Sequence, residues 1–439
     1  MVVWERGPLR EAWRFSGRWS RTSRLTLTHF LLLPSPPLSY IWNVLLNFGG
    51  TVGMRGNAAT VMTRPYEYPP PGFSQVGVGI TGEAINQNPL MFELALDHAW
   101  NSAPRAMDKW LHDWVRARYG YAPDVAGALL LVASEDMYTA WTLLLGSAYS
   151  VYDRAQGNGY WGTTKSVIEK RPSLSRGSVI SGGFQGSELK YEACDLVAAW
   201  RLLVGAVPRE DETAAALLVL RGGALELDLV DVTRQALSDM AQVLYSRWLA
   251  AVQHRDIATA TLQRDRFLNL LLDIDVLLTS LPHFDFATWM NAAEHLAVQN
   301  AGSTASDDTR GGAAAEEERK LYAYNARNLV TRWGPNGEIN DYASRLWGGL
   351  IRSYYFPRWK LAMDAVLAEM RRDPNEVPSD DVFLGNMQTW EEQWQHRGFD
   401  GEGSGAGIAA AGANTPLASV QNAFEKYGST ARVLCKEAV

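Results

Sequence analysis

The chain has 439 residues, of which 47% are hydrophobic and 20% are charged, and its formal net charge is −7. These values are typical of a globular protein of two or three domains, and the negative charge argues against nucleic acid as a partner. The two cysteines, Cys194 and Cys435, allow at most one disulfide, which excludes both a disulfide framework and a multi-cysteine zinc site.

Residues 1–39 differ from the rest of the chain. They hold six arginines and two glutamates, a net +4, which leaves −11 on the remainder. Their apolar run, 25–33, comes late and is broken by threonines and a histidine, so a secretory signal is not indicated. The segment is compatible with an organelle transit peptide, but we favour arbitrary sequence joined to a domain boundary at Pro34-Ser35-Pro36-Pro37. No apolar run reaches the ~20 residues of a membrane-spanning helix, so we expect no membrane partner.

The first predicted strand lies in the run from Tyr40 to Gly50, which ends in a Gly-Gly turn. A near-continuous apolar run of this length is typical of a parallel strand covered on both faces. Together with the segment that follows, it predicts one strand-helix unit.

A second strand is predicted from Gln75 to Ile80, where β-branched residues alternate with glycines, and it too is expected to be buried on both faces. Gly82 permits a sharp turn, and Asn88-Pro89 is a suitable start for a helix that runs to about Trp100. Glu83 lies between strand and helix, where barrels of such units carry their reactive groups.

Glu83 has both chemical and structural interpretations. A carboxylate here could be a glycosidase nucleophile, a general base or a metal ligand, or it could favour the dipole of the helix that follows. The local pattern alone favours the structural interpretation.

From Pro89 onward the periodic segments are helical, which predicts an α-helical domain. The clearest is Ala106 to Tyr119, with Trp110, Leu111 and Trp114 on one stripe. Further helices are predicted at Val125–Leu145, Tyr191–Val204, Leu225–Gln253, Ile257–Leu281, Phe286–Gln299, Ala313–Val330, Ile339–Arg372, Asp381–His396 and Pro416–Tyr427. Long loops are predicted at Ser150–Leu189 and Ala301–Gly312, and a Gly/Ala-rich linker at 398–413.

The sequence resembles the α-N-acetylglucosaminidases, glycoside hydrolase family 89, at several points. The spacing Val-Gly-Val-Gly-x-x-x-Glu-x-Ile-x-Gln-Asn around Glu83 is similar to the nucleophile segment of that family. The first strand matches the family at Ile41, Trp42, Leu45, Asn47, Phe48, Gly49 and Gly50, although Asn43 and Leu46 replace the usual cysteine and histidine. The helical region matches in the segments 195–203 and 231–237 and above all between Trp333 and Trp359, whose aromatic and arginine residues we assign to packing rather than to sugar contact.

The resemblance implies a retaining enzyme that removes terminal α-linked N-acetylglucosamine from glycans of heparan-sulfate or other type. Glu83 would be its catalytic nucleophile, with Trp42 as a stacking face and Asn47 as a hydrogen-bonding group for substrate binding. Against this, Trp42 and Asn47 could simply pack the end of a barrel. No histidine pair, phosphate loop or dinucleotide motif is present, so we expect neither a metal nor another cofactor. A lysosomal, vacuolar or secreted location is implied by the family alone, and the sequence leaves open whether the chain forms a homo-oligomer.

The predicted fold is mostly α: two βα units of a truncated (β/α)₈ barrel, followed by an α-helical bundle. The boundaries are 1–39 unmatched, 40–103 barrel remnant, 104–397 helical domain, 398–413 linker and 414–439 terminal helix and tail. In the family the proton donor is a glutamate after asparagine on an earlier strand, and the Asn-Glu pair here, Asn375-Glu376, lies in a late polar loop. We therefore expect no activity from this chain alone and exposed apolar surface on its strands. The alternative is a non-catalytic helical module that binds a protein or a carbohydrate.

Overall fold

The computed structural model describes residues 38–46, 48–50, 53–67, 73–83, 86, 88–123, 129–131, 134–151, 165–174, 189, 191–207, 223–304, 310–399 and 415–437. Its strands are β1 (Leu38–Leu46), β2 (Phe73–Gly82), β3 (Tyr121–Pro123) and β4 (Leu129–Leu131). Its α-helices are α1 (Ala58–Glu67), α2 (Pro89–Asp97), α3 (Met107–Tyr119), α4 (Glu135–Gly146), α5 (Ala193–Gly205), α6 (Ala224–Gln253), α7 (Ile257–Leu278), α8 (Phe286–Thr304), α9 (Arg310–Leu329), α10 (Phe356–Arg372), α11 (Asp381–Gln395) and α12 (Pro416–Leu434).

The described residues fall into two compact units. The strand unit contains residues 38–45, 58–81 and 89–106, and the helical unit contains residues 46–57, 82–88 and 107–437. The loops after β1 and after β2 therefore belong to the helical unit.

In the strand unit, β1 and β2 pair in a two-stranded parallel sheet, and α1 packs on α2. The Tyr40 hydroxyl donates to Gln75 Oε1 at 3.1 Å, which links the two strands through their side chains. Tyr40 and Val44 are buried, whereas Ile41 is 45% exposed and Val76 is 64% exposed. The expectation of strands buried on both faces is thus wrong, because no further strand covers the other face among the described residues. The expected exposure of apolar strand surface is confirmed.

The helical unit is organised around α6, which is buried along most of its length and packs against α5, α7 and α12. In addition, α8 packs against α9, and α10 packs against α11. Arg118 on α3 forms a bidentate ion pair with buried Asp228 on α6 at 2.6 and 2.8 Å. The buried charge is compensated, as stability of such a core requires.

Three of the predicted helical segments need correction. Within 125–145, Leu129–Leu131 forms β4, which pairs antiparallel with β3, and the helix begins only at Glu135. Residues 339–350 form irregular turns, and the helix predicted there begins as a π-helix at Ile351–Tyr355. The positive φ of Asp341 (62°) and of Gly349 (78°) explains why the α-helix cannot start earlier. The predicted loop 301–312 is helical at both of its ends, and α12 extends beyond Tyr427 to Leu434.

Cys194 and Cys435 form a disulfide, so the one bridge that the sequence allows is made. It joins the first turn of α5 to the residue after α12. Much of the loop 150–189, the linker 400–414 and the basic segment 1–37 lie outside the described residues.

Candidate active site

Glu83 lies directly after the end of β2, and its side chain is exposed. One carboxylate oxygen, Oε2, accepts two hydrogen bonds, from the Gly49 backbone N–H at 2.5 Å and from the Tyr342 hydroxyl at 2.6 Å. Within the described part of the chain, Oε1 accepts no hydrogen bond. The carboxylate is therefore oriented through one oxygen, and its negative charge is shared with two donors, while the other oxygen stays accessible.

Gly49 supplies its donor because of an unusual backbone conformation. Its φ is +67°, and the turn continues with Gly50 at φ 76°. A Cβ atom at position 49 would collide with the backbone carbonyl of Tyr342. The position thus requires glycine both for its dihedral angle and for its space. The Gly49-Gly50 turn that was predicted after β1 is confirmed, and it directs an N–H group at Glu83.

Tyr342 supplies the second donor. Burial of the ring, the hydrogen bond to Glu83 and the charge of Glu83 together raise the pKa of Tyr342 to about 12. The phenol is therefore protonated at physiological pH and acts as a donor. Its ring lies edge-on to Trp333, with 5.7 Å between the ring centroids.

The loop that carries Tyr342 is fixed by buried ion pairs. Asp341, at φ 62°, accepts from Arg358 Nη1 at 2.9 Å, and the same nitrogen lies 3.3 Å from Glu391. Arg358 also donates to the carbonyls of Glu169 and Lys170. A residue in the left-handed region is held there by a completely buried guanidinium. These contacts fix the backbone from which the Tyr342 side chain extends.

The sequence identified one of the three groups that meet here. Glu83 lies where it was predicted. Gly49 was identified only as part of a turn, and Tyr342 was assigned to helix packing within the block from Trp333 to Trp359. The aromatic residues Tyr354, Tyr355 and Trp359 of that block are indeed fully buried. The partial exposure of Tyr342 could not be read from a pattern in which every aromatic residue resembles its neighbours.

The two predicted substrate-binding residues, Trp42 and Asn47, are not among the described groups that meet at Glu83. Trp42 is a half-buried residue of β1 in the strand unit, and Asn47 lies outside the described residues. Asn375 and Glu376 lie in the loop between α10 and α11, where Asn375 accepts a hydrogen bond from Arg255. That loop is far along the chain from β1 and β2, and Glu376 is exposed.

The chemistry of this arrangement is that of an oriented carboxylate. Such a group can attack an electrophilic carbon or accept a proton. Among the described residues, no cluster of histidine, cysteine and carboxylate side chains is suited to a metal ion. Across the same residues, no helix combines the length and apolar composition needed to cross a bilayer.

The sequence models of two protein domains match this chain. One is described as the alpha-N-acetylglucosaminidase (NAGLU) C-terminal domain and matches residues 110–414. The other is the alpha-N-acetylglucosaminidase (NAGLU) tim-barrel domain and matches residues 37–102. The fold predicted from the sequence, a piece of a barrel followed by a helical domain, is confirmed by these matches.

Individual relatives agree with the two domain matches. The alpha-N-acetylglucosaminidase of Homo sapiens is 29% identical over 367 residues, which cover 81% of this chain and 43% of that protein. A family 89 glycoside hydrolase from Clostridium perfringens, solved with PUGNAc, has a TM-score of 0.69 at 25% identity and covers 90% of this chain. The same hydrolase, with two glutamates changed to glutamine, was solved with its substrate GlcNAc-alpha-1,4-galactose. The chain spans about two fifths of the length of these relatives.

Proposed function

Since this chain belongs to the α-N-acetylglucosaminidase family, glycoside hydrolase family 89, we propose that Glu83 is the nucleophile for removal of terminal α-linked N-acetylglucosamine from a glycan. The observation that carries the proposal is the carboxylate itself: it follows β2 at the family's spacing, and among the described residues its hydrogen bonds, from Gly49 and Tyr342, go to Oε2. This leaves Oε1 for the anomeric carbon.

The mechanism is a double displacement. Oε1 of Glu83 bonds to the anomeric carbon while the glycosidic C–O bond breaks, and the leaving oxygen takes a proton from a second carboxyl group. Water, deprotonated by that second group, then displaces Glu83 from the glycosyl ester, so the sugar leaves with its original configuration. Throughout, Gly49 and Tyr342 hold Oε2 and keep the attacking oxygen directed.

The second carboxyl group is the part that we place outside these 439 residues. A retaining pair has its carboxyl groups ~5 Å apart, and the family's donor follows an asparagine on an earlier barrel strand. The matched relatives are more than twice the length covered here. We infer that a polypeptide of these residues alone does not turn over substrate, and that the remaining barrel strands complete both the donor and the pocket.

The sugar is proposed to meet Trp42 and Asn47. An indole ring on β1 offers a flat apolar face to a pyranose, and an amide after the same strand offers a donor and an acceptor. Loss of either side chain should raise KM more than it lowers kcat, because both groups would contact the substrate in its ground state.

The disulfide supports an oxidising compartment. Cys194 and Cys435 are bonded to each other, and such bonds persist in secreted proteins rather than in reducing cytosol. We propose a lysosomal, vacuolar or extracellular location. A fluorescent fusion of the full gene product that stays in the cytosol would contradict it.

A complementation assay tests the proposed reaction. The barrel portion of the Clostridium perfringens relative would be joined ahead of Tyr40, and hydrolysis of an aryl α-N-acetylglucosaminide would be measured with and without it. We expect turnover only from the joined protein, with the released sugar in the α configuration. Glu83→Gln should reduce that rate by at least about 10³-fold, whereas Glu93→Gln on α2 should leave it unchanged.

Two results would overturn this proposal. Turnover by the 439 residues alone, abolished by Glu83→Gln, would mean that another carboxylate in this chain supplies the proton. A joined protein that binds the sugar but never hydrolyses it would favour the non-catalytic module instead.

A further inference from the structure

Lys165 is a buried lysine whose side chain contacts the backbone of the loop that carries Tyr342. It is 4% exposed, and its ammonium donates to the backbone carbonyls of Asp341 and Tyr342, the latter at 2.5 Å. These carbonyls flank the Cα of Tyr342. Lys165 therefore fixes the backbone from which the phenol reaches Glu83.

Arg345 joins the two donor segments to each other. Its Nη1 donates to the carbonyl of Gly49 at 2.5 Å and to that of Ala343 at 2.5 Å. Gly49 provides one donor to Glu83, and Ala343 follows the residue that provides the other. A single planar guanidinium thus sets the separation between the two groups that hold Oε2.

Burial of Lys165 and Arg345 disfavours their charged forms. Burial lowers the pKa of Lys165 to about 7 and that of Arg345 to about 10, and the nearby carboxylate of Glu169 opposes both shifts. Glu169 is itself 2% exposed. Apolar side chains would fill this space without desolvating charge, so the hydrogen bonds to these particular carbonyls are what the cations add.

We propose that Lys165 and Arg345 are positioning residues, which hold the Tyr342 hydroxyl and the Gly49 N–H on Oε2 of Glu83. The inference rests on the proposed role of Glu83 for its catalytic meaning, but the positioning itself concerns only the geometry of this chain. Lys165 acts on the Tyr342 donor, and Arg345 acts on both donors.

The ¹⁹F resonance of Tyr342 reports on this positioning and requires no turnover. All 17 tyrosines would be replaced by 3-fluorotyrosine in the 439-residue chain, and the Tyr342 resonance would be identified by its loss in Tyr342→Phe. The spectra would be recorded at pH 6, where both cations are protonated. Because the resonance responds to the hydrogen bond from the phenol to Glu83, we expect Lys165→Met and Arg345→Met each to shift it toward its position in Glu83→Gln. The remaining tyrosine resonances show whether a variant is folded.

Two controls make the test specific. Lys170→Met removes a second buried lysine of the same segment and should leave Tyr342 unchanged. Glu83→Gln should shift the Tyr342 resonance by itself, and Lys165→Met should add little in that background. The proposal is wrong if the Tyr342 resonance keeps its parent position in both Lys165→Met and Arg345→Met, or if Lys170→Met shifts it equally. If the Lys165 and Arg345 variants behave as expected but the joined protein is inactive, the proposed function is wrong and the positioning proposal stands.

Discussion

The strand unit and the helical unit bury their side chains very differently. In the helical unit, whole tryptophans and arginines are inaccessible to solvent, among them Trp200 and Arg358. In the strand unit, apolar residues of the two-stranded sheet face outward, such as Ile41 and Val76. Two parallel strands cannot cover both of their own faces.

The candidate site is oriented by the helical unit. The loops 46–57 and 82–88 follow the two strands in sequence, yet they belong to the helical unit. Glu83 is thus held by contacts within the helical unit, directly by Tyr342 and indirectly by the proposed positioning residues Lys165 and Arg345. Gly49 and Glu83 follow the two strands in sequence, but the contacts that hold them are made within the helical unit.

The largest loss of stability should follow from removal of the buried arginine Arg358 in the helical unit. Arg358→Met would leave Asp341 and Glu391 as buried carboxylates without their shared partner, which we expect to lower the free energy of unfolding by about 3–5 kcal/mol. Urea denaturation would measure it. The control is Arg372→Met on the same helix, where the arginine is largely exposed and pairs with Glu369; its midpoint should not change. Equal midpoints for both variants would mean that the buried network contributes nothing.

A smaller loss is expected on removal of the disulfide. The bond between Cys194 and Cys435 spans 241 residues of sequence, and closing so long a loop restricts the unfolded chain. The double variant Cys194→Ala with Cys435→Ala should lose about 2–4 kcal/mol of unfolding free energy. Dithiothreitol should lower the thermal midpoint of the parent chain to that of the double variant. If reductant also lowers the variant's midpoint, the bond is not the cause.

Asp239 on α6 should make the free energy of unfolding depend on pH, by an amount similar to or smaller than the effect of the disulfide. Burial raises its pKa from 3.8 to about 7, although Tyr191 and Gln235 donate to it. Between those values the folded chain holds the proton and the unfolded chain does not, so stability decreases as the pH rises from about 4 to about 7. Asp239→Asn should remove about 2 kcal/mol of the decrease between pH 5 and pH 7. Parallel pH profiles for variant and parent would contradict this.

The fold could be predicted where it depends on local sequence, and it could not where it depends on contacts between distant residues. Helices with a clear apolar stripe, such as α3, were predicted within one or two residues, because periodicity is a local property. The segment 339–350 was predicted wrongly as helix. Its conformation depends on the left-handed Asp341, which is held by Arg358 from farther along the chain, and no local pattern encodes that contact.

The candidate site shows the same limit more sharply. Glu83 was singled out because a strand, a glycine and a helix start surround it in sequence, but its predicted role as nucleophile came from the family resemblance. Its partner Tyr342 is 259 residues away, and Lys165 lies in a loop with no periodic signal. The local pattern locates this carboxylate between strand and helix, whereas the groups that orient it come from contacts between distant segments.

The smallest expected effect tests the contrast between the units directly, with one substitution made in each. Val76→Thr changes a side chain of β2 that is 64% exposed, so the new hydroxyl stays hydrated and the free energy of unfolding should change by less than about 0.5 kcal/mol. Val230→Thr changes a completely buried residue of α6. There the hydroxyl must be desolvated, and we expect a loss on the order of 1–3 kcal/mol. Both exchanges keep the shape of the side chain, so denaturant midpoints compare burial alone. A loss at Val76 as large as that at Val230 would mean that the outer face of the sheet is covered in solution, by self-association or by another part of the chain, and the contrast between the units would not hold.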